Sequence, residues 1–145
     1  MKMKKIYLFL SIMHLFIGVG AVFGGLAGII SPSGPLGMPV ELLEGSIFSS
    51  YLVPGIILFA FIGLGNVFSS ITAWKESILQ GYISSIFSWG MMIFIIVQCL
   101  IIESVVFPHV FYFLLGLIGA MLAGFILYHN NQFPMNILRR KNNVT

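Results

Sequence analysis

Charge is what this chain has least of. It carries seven lysines and arginines and four acids among 145 residues, 8% in all. A water-soluble domain carries roughly a quarter charged residues, because its surface must face water. With 59% hydrophobic residues and a mean hydropathy of +1.05, this chain cannot clothe a water-facing exterior, and lipid is the solvent that suits it. Cysteine is nearly absent too. The single Cys99 excludes an internal disulfide and a two-cysteine redox relay within one chain. Catalytic signatures are missing as well: there is no GxSxG elbow, no P-loop and no dinucleotide glycine pattern. No His/Cys/acid cluster has metal-ligand spacing, and His14 and His109 lie roughly 15 Å apart in depth, too far to share one haem iron. No cofactor is therefore expected. No acid or base falls mid-span, which argues against ion-coupled transport of the small multidrug type, where an embedded carboxylate carries the coupling. The net charge of +3 does not mark a nucleic-acid surface, because the cations flank apolar runs instead of forming a face.

What is present is length without charge. The runs 6–40, 45–74, 77–102 and 104–138 hold no charged residue, and each exceeds the roughly 20 residues that cross a hydrocarbon core of about 30 Å. The expected fold is all-α, a four-helix transmembrane bundle in a single domain. Its spans are placed at 6–30, 51–74, 78–102 and 107–128, with a proline-rich outer loop at 31–50 and a tail at 129–145. An even number of spans puts Lys2, Lys4, Lys5, Lys75, Arg139, Arg140 and Lys141 on one side, and Glu41, Glu44 and Glu103 on the other with no cation. The positive-inside bias then makes both termini and the tail cytoplasmic in a cell membrane. A lysine-rich start before an apolar stretch also describes a signal peptide, and Gly25-Leu26-Ala27 has small residues at a cleavable spacing. The run is longer than a usual signal core, however, and its glycines suit a retained helix.

The outer segment SPSGPLGMPVELLEG answers to its prolines. Pro32, Pro35 and Pro39 fix φ and forbid a continuing helix, so the first span must stop there. Residues 39–45 read as a short helix with proline first, acids near its positive end and glycine just past its close. Val40, Leu42 and Leu43 would press on the bundle or the bilayer interface while Glu41 and Glu44 stay wet.

Lipid gives no hydrophobic drive between helices, so small residues must let backbones approach. Gly20, Gly24 and Gly28 recur at four-residue intervals in the first span, Gly65, Ser69 and Ala73 in the second, and Gly116, Ala120 and Gly124 in the fourth. Packing of spans one, two and four is expected, with homodimerisation as the other use. Tyr7, Trp74 and Tyr128 fall near the inner boundary and Tyr51 and Tyr112 near the outer one, as interfacial rings do. Trp89 lies too deep for that belt and is expected to pack on a glycine stripe, its N–H seeking Ser85, Ser88 or a carbonyl.

Polar groups inside a bilayer are either glue between helices or functional. His14, Asn66, Ser84, Ser85 and Ser88 share a level in the inner half, and the expected use is a structural polar layer. Gln98, Glu103, His109 and Glu41 gather near the outer end with Tyr51 or Tyr112. There Glu103 and His109 flank the short turn ESVVFPH and could titrate as a pair. Asn143-Val144-Thr145 matches a glycosylation sequon but falls on the cytoplasmic tail.

Three short elements carry a resemblance: Gly37-Met38-Pro39-Val40-Glu41, the entry Phe48-Ser49-Ser50-Tyr51-Leu52-Val53-Pro54-Gly55, and Trp89 with Val97-Gln98. In these the chain resembles a group of small four-span bacterial integral membrane proteins. The resemblance implies a fold and a bacterial membrane setting, and it brings no catalytic residue. The expected function is a non-enzymatic accessory, assembly or protective factor, with the lipid bilayer, a second copy or another membrane protein as partner. A subunit of a small-solute transporter or channel is the alternative, and a membrane enzyme using Glu103 and His109 comes third.

Overall fold

The computed structural model describes residues 2–137. Arg139, Arg140, Lys141, the sequon at Asn143 and the rest of the tail from 138 to 145 lie outside them. Among the described residues four long helices dominate: α1 (Met3–Ile30), α2 (Leu52–Trp74), α3 (Gln80–Ile102) and α4 (Phe107–His129). Each is long and apolar enough to cross a membrane. The outside of the bundle agrees. Ile12, Phe16, Val19 and Phe23 run exposed along α1, and Phe61, Phe68, Ile93 and Leu114 do the same on the other helices. Such a surface would aggregate in water and needs no cover in hydrocarbon. The protein is an all-α, multi-pass membrane bundle.

Each helix stops where its sequence forbids continuation. α1 ends at Ile30, one residue before Ser31-Pro32. Residues 75–79 form a tight turn in which Glu76 takes a left-handed φ of 50°. α3 closes on Glu103, also left-handed at φ 52°, and α4 begins at Phe107 with Pro108 in its first turn, where a missing N–H costs nothing. The N-terminus, the 75–79 turn and the end of α4 share one end of the bundle, here the terminal end. Asn130 Nδ2 reaches the Tyr7 hydroxyl at 3.4 Å, and Gln132 Nε2 donates to the Ile78 carbonyl at 3.0 Å. The opposite end carries the lid and the 103–106 turn.

The helices pack as two pairs, α1 with α2 and α3 with α4, which then face each other. This corrects the expected clustering of the first, second and fourth spans. In the α1–α2 seam, Gly18, Gly25 and Gly28 meet Val67, Phe59 and Gly55, and Gly63 meets Val22. A Cβ on Gly25 would sit 2.5 Å from the backbone nitrogen of Phe59, so only hydrogen fits there. Gly24 is half-buried against Leu58, while Gly20 faces Tyr112 of α4. On α4 the seam runs through Gly116, Gly119 and Ala123, not along Gly116, Ala120 and Gly124. Gly116 abuts Met92 and Gly119 abuts Ser88, whereas Gly124 has only Met135 in ordinary contact and Ala120 is half-buried. A strict spacing of four drifts around a helix of 3.6 residues per turn, and a 3-4 alternation keeps to one face.

The lid is built from two 3-10 turns, Pro35–Gly37 and Val40–Leu43, joined through extended Met38 and Pro39. Pro39 therefore caps the second turn and does not open an α-helix, a correction to the expected short helix. Leu43 is buried beneath it, Glu41 and Glu44 are exposed, and the left-handed Gly45 turns the chain away. The lid is fastened by the Tyr51 hydroxyl, which donates to the Pro39 carbonyl at 3.0 Å, and by the Tyr51 N–H, which donates to the Pro32 carbonyl at 2.9 Å. Tyr51 and Tyr7 are thus buried ties and not outward belt rings. Trp89, expected inside, is 57% exposed on the lipid-facing side of α3.

Candidate functional site

The two halves of the bundle hold different polar arrangements. Midway along α2 a π-helical stretch, Leu58–Leu64, interrupts the helix, and its wider turns loosen the backbone ladder just before Asn66 in the terminal half. The Asn66 amide captures the Ile62 carbonyl with its Nδ2 at 2.7 Å, which leaves Oδ1 to face His14 Nδ1 at 2.6 Å. That direction assigns the imidazole proton to Nδ1, since Oδ1 can only accept. His14 Nε2 is then an acceptor and takes the hydroxyl proton of Ser84 at 3.0 Å. Ser84 Oγ in turn accepts from Gln80 Nε2 at 2.8 Å. The other N–H of that Gln80 nitrogen is shared between the carbonyl and hydroxyl of Ser69 at 3.2 and 3.1 Å, and Gln80 Oε1 accepts from Thr72 at 2.7 Å. His14, Asn66, Ser69, Gln80 and Ser84 are all 0% exposed. The chain of bonds crosses α1, α2 and α3, has one direction throughout, and holds His14 as a neutral ring.

One turn toward the terminus, Ser11 and Ser70 exchange bonds reciprocally. Ser11 Oγ donates to the Ser70 carbonyl at 3.0 Å, and Ser70 Oγ donates to the Ser11 carbonyl at 2.8 Å. Of the five residues expected to form a polar layer, three are joined directly: His14, Asn66 and Ser84. Ser85 turns aside and bonds the Gly81 carbonyl of its own helix at 2.8 Å. Ser88 is buried against Gly119 and its hydroxyl has no hydrogen-bond partner. Sequence reasoning missed Ser11, Ser69, Ser70, Thr72 and Gln80. The usable signal was spacing: Ser11 precedes His14 by three, and Gln80 precedes Ser84 by four, so each pair shares a helix face.

The lid half is hollow instead. A cavity of about 380 Å³ lies between all four helices. Its floor is Ile17, Ile62, Met91 and Ile95, its polar lining is Gln98, His109 and Tyr112, and Leu36 and Met38 of the lid reach over it. A smaller chamber of about 120 Å³ adjoins it through shared walls at Gly24, Leu58, Phe94 and Gln98, and it reaches Tyr51. Burial first, and then the nearby Glu41 carboxylate, hold the Tyr51 phenol above its ordinary pKa, which keeps it a neutral donor to Pro39.

Four residues were expected to converge at this end, and the structure sorts them. Gln98 and His109 share the large cavity, while Glu41 lies exposed on the lid and Glu103 lies exposed at the close of α3. Glu103 and His109 both border a separate shallow groove between α3 and α4 that also touches Cys99. They are not an acid–base pair. His109 Nδ1 accepts the Val106 backbone N–H at 3.3 Å, closing the first turn of α4. Among the described residues, no group of three His, Cys, Asp or Glu side chains comes together to hold a metal ion.

Comparison of this chain with family models, with curated proteins and with solved structures finds no match in any of the three.

Proposed function

We propose that the chain is a small multi-pass protein of the bacterial cell membrane, with both termini cytoplasmic, acting as a non-enzymatic accessory, assembly or protective factor through its lid end. The observation that carries this reading is the closed polar layer. His14, Asn66, Ser69, Gln80 and Ser84 are fully buried and spend their hydrogen bonds on one another, so the terminal half offers no wet path for a solute. The absence of an ionised side chain among these buried groups points the same way. The orientation rests on charge. Lys2, Lys4, Lys5 and Lys75 lie at the terminal end, and Glu41, Glu44 and Glu103 at the lid end.

The alternative, a subunit of a small-solute transporter or channel, draws on the lid-half cavity, which reaches inward as far as Ile17 and Met91. An enzymatic use of Glu103 and His109 has less support, because the imidazole already serves the backbone of α4. Flux measurement separates the first two readings. In sealed vesicles the protein is expected to pass protons and small neutral solutes no faster than protein-free controls. Flux above that level which falls on His14→Ala would overturn the accessory reading. Tags on either end are expected to be reached by membrane-impermeant reagents only after the cell is opened. Labelling of intact cells would reverse the orientation.

A further inference from the structure

The lid-half cavity is lined by three polar side chains with hydrogen-bonding atoms that no described residue engages. Among the described residues, neither the Gln98 amide nor the Tyr112 hydroxyl makes a hydrogen bond, and His109 uses only Nδ1. This stands against the terminal half, where every polar atom of His14, Gln80 and Ser84 is engaged. Gln98 and Tyr112 are half-buried on the chamber wall and their polar atoms are not sealed against apolar neighbours, so they stay open to a partner that enters the chamber. All three line one chamber of about 380 Å³, within the usual ~300–1,000 Å³ range of small-molecule sites.

The chemistry of the lining narrows the occupant. Because His109 Nδ1 accepts from Val106, the proton of the neutral ring lies on Nε2, a donor. The Gln98 amide and the Tyr112 hydroxyl each add a donor and an acceptor, so the lining suits a head that carries both acceptor oxygens and hydroxyls. The chamber lining carries no formal charge, and the described charges of the lid end are Glu41, Glu44 and Glu103, all acidic. An anionic head such as a phosphate or carboxylate would find repulsion there and no cation. Depth gives the rest. Gln98 lies four residues from the end of α3 and His109 lies in the first turn of α4, while Met91 on the floor is a further seven residues along α3, about 10 Å deeper. A polar ring above an apolar floor matches a molecule with a polar head and an apolar chain.

We propose that this cavity binds a single uncharged lipid whose head presents ester or carbonyl oxygens, a monoacylglycerol being the simplest example. Gln98, His109 and Tyr112 bond its head, and Ile17, Ile62, Met91, Phe94 and Ile95 line the part of its chain next to the head, which is what a depth of about 10 Å takes. The proposal rests on the lid end being the working end of the protein. It adds the chemical class of what is held there.

The test uses the full chain purified in a mild maltoside detergent, with monoolein, oleate and a phosphatidylglycerol as probes. Native mass spectrometry and thermal unfolding are the readouts. One monoolein is expected to stay bound and to raise the midpoint saturably, with oleate and phosphatidylglycerol retained far less at neutral pH. Gln98→Leu and Tyr112→Phe are each expected to weaken monoolein binding about tenfold, the loss of one hydrogen bond. Ligand-free unfolding midpoints at or above the parent's would show that the variants fold. Ala21→Phe, which fills the chamber wall, is expected to abolish retention. Retention that is unsaturable, that is undiminished in both polar variants, or that prefers either anionic probe overturns the proposal. Such a failure would leave the non-conducting reading in place, because vesicle flux tests that separately.

Discussion

Gln80 and Gln98 stand on the same helix, eighteen positions apart, and the protein treats them in opposite ways. Gln80 is fully buried and saturated: its nitrogen serves Ser84 and Ser69, and its oxygen serves Thr72. Gln98 is half-buried on a cavity wall with its amide unspent. One amide is part of the joint between helices, and the other is held ready. In a bilayer this contrast is sharper than in water, because no solvent repairs an unpaired group. It separates a terminal half built for rigidity from a lid half built around space.

The contrast can be broken from several directions. The largest effect is expected at the seam both halves depend on. Gly25→Leu drives a side chain into the Phe59 backbone and should cost about 3 kcal/mol, the upper range for overpacking, seen as loss of monodisperse protein in detergent. Gly124→Ala, on the stripe that the structure leaves outside the α4 seam, should change the unfolding midpoint little. Gln80→Leu comes next, at about 2 kcal/mol, because it removes the one amide that Thr72, Ser69 and Ser84 share and leaves the Ser69 hydroxyl without it; chemical unfolding in mixed micelles measures it.

Asn66→Leu should cost about 1–2 kcal/mol by stranding the Nδ1–H of His14. Adding His14→Leu to it should cost less than the sum of the two single changes, since removing both partners leaves neither end of their shared bond stranded. Strict additivity in that double-mutant cycle would show that the bond does not form. Tyr51→Phe should cost about 1 kcal/mol and show chiefly as faster proteolysis of the lid, since it cuts the tie to Pro39. The smallest effect belongs to Gln98→Leu, expected within about 0.5 kcal/mol of the parent or above it. A loss as large as that of Gln80→Leu would erase the distinction between the halves.

Much of the frame could be read directly from residues. Four uncharged runs marked the helices, and Pro32 and Pro108 marked an end and a beginning. His14, Asn66 and Ser84 could be matched by depth alone, because rise per residue is constant along a straight helix. Rotation about the helix axis could not be matched in that way. Ser84 and Ser85 have nearly the same depth and point roughly 100° apart, so one joins the layer and the other bonds Gly81. Trp89 shows the same limit, facing lipid where depth alone had placed it inside. Gln80 was hidden for a different reason: at the first residue of its helix, it reads as a boundary residue, and only the packing of α2 on α3 brings Ser69 and Thr72 to it.

The sequence by itself determined the solvent, the number of long helices among the described residues and the end of the bundle at which each described charge lies, because each depends only on composition and length along one axis. The tertiary structure decided which helices pair, which amides are spent and where the empty space falls. Those outcomes depend on facing surfaces, and one chain's linear order does not specify how two helices turn toward each other until their glycines and polar groups meet.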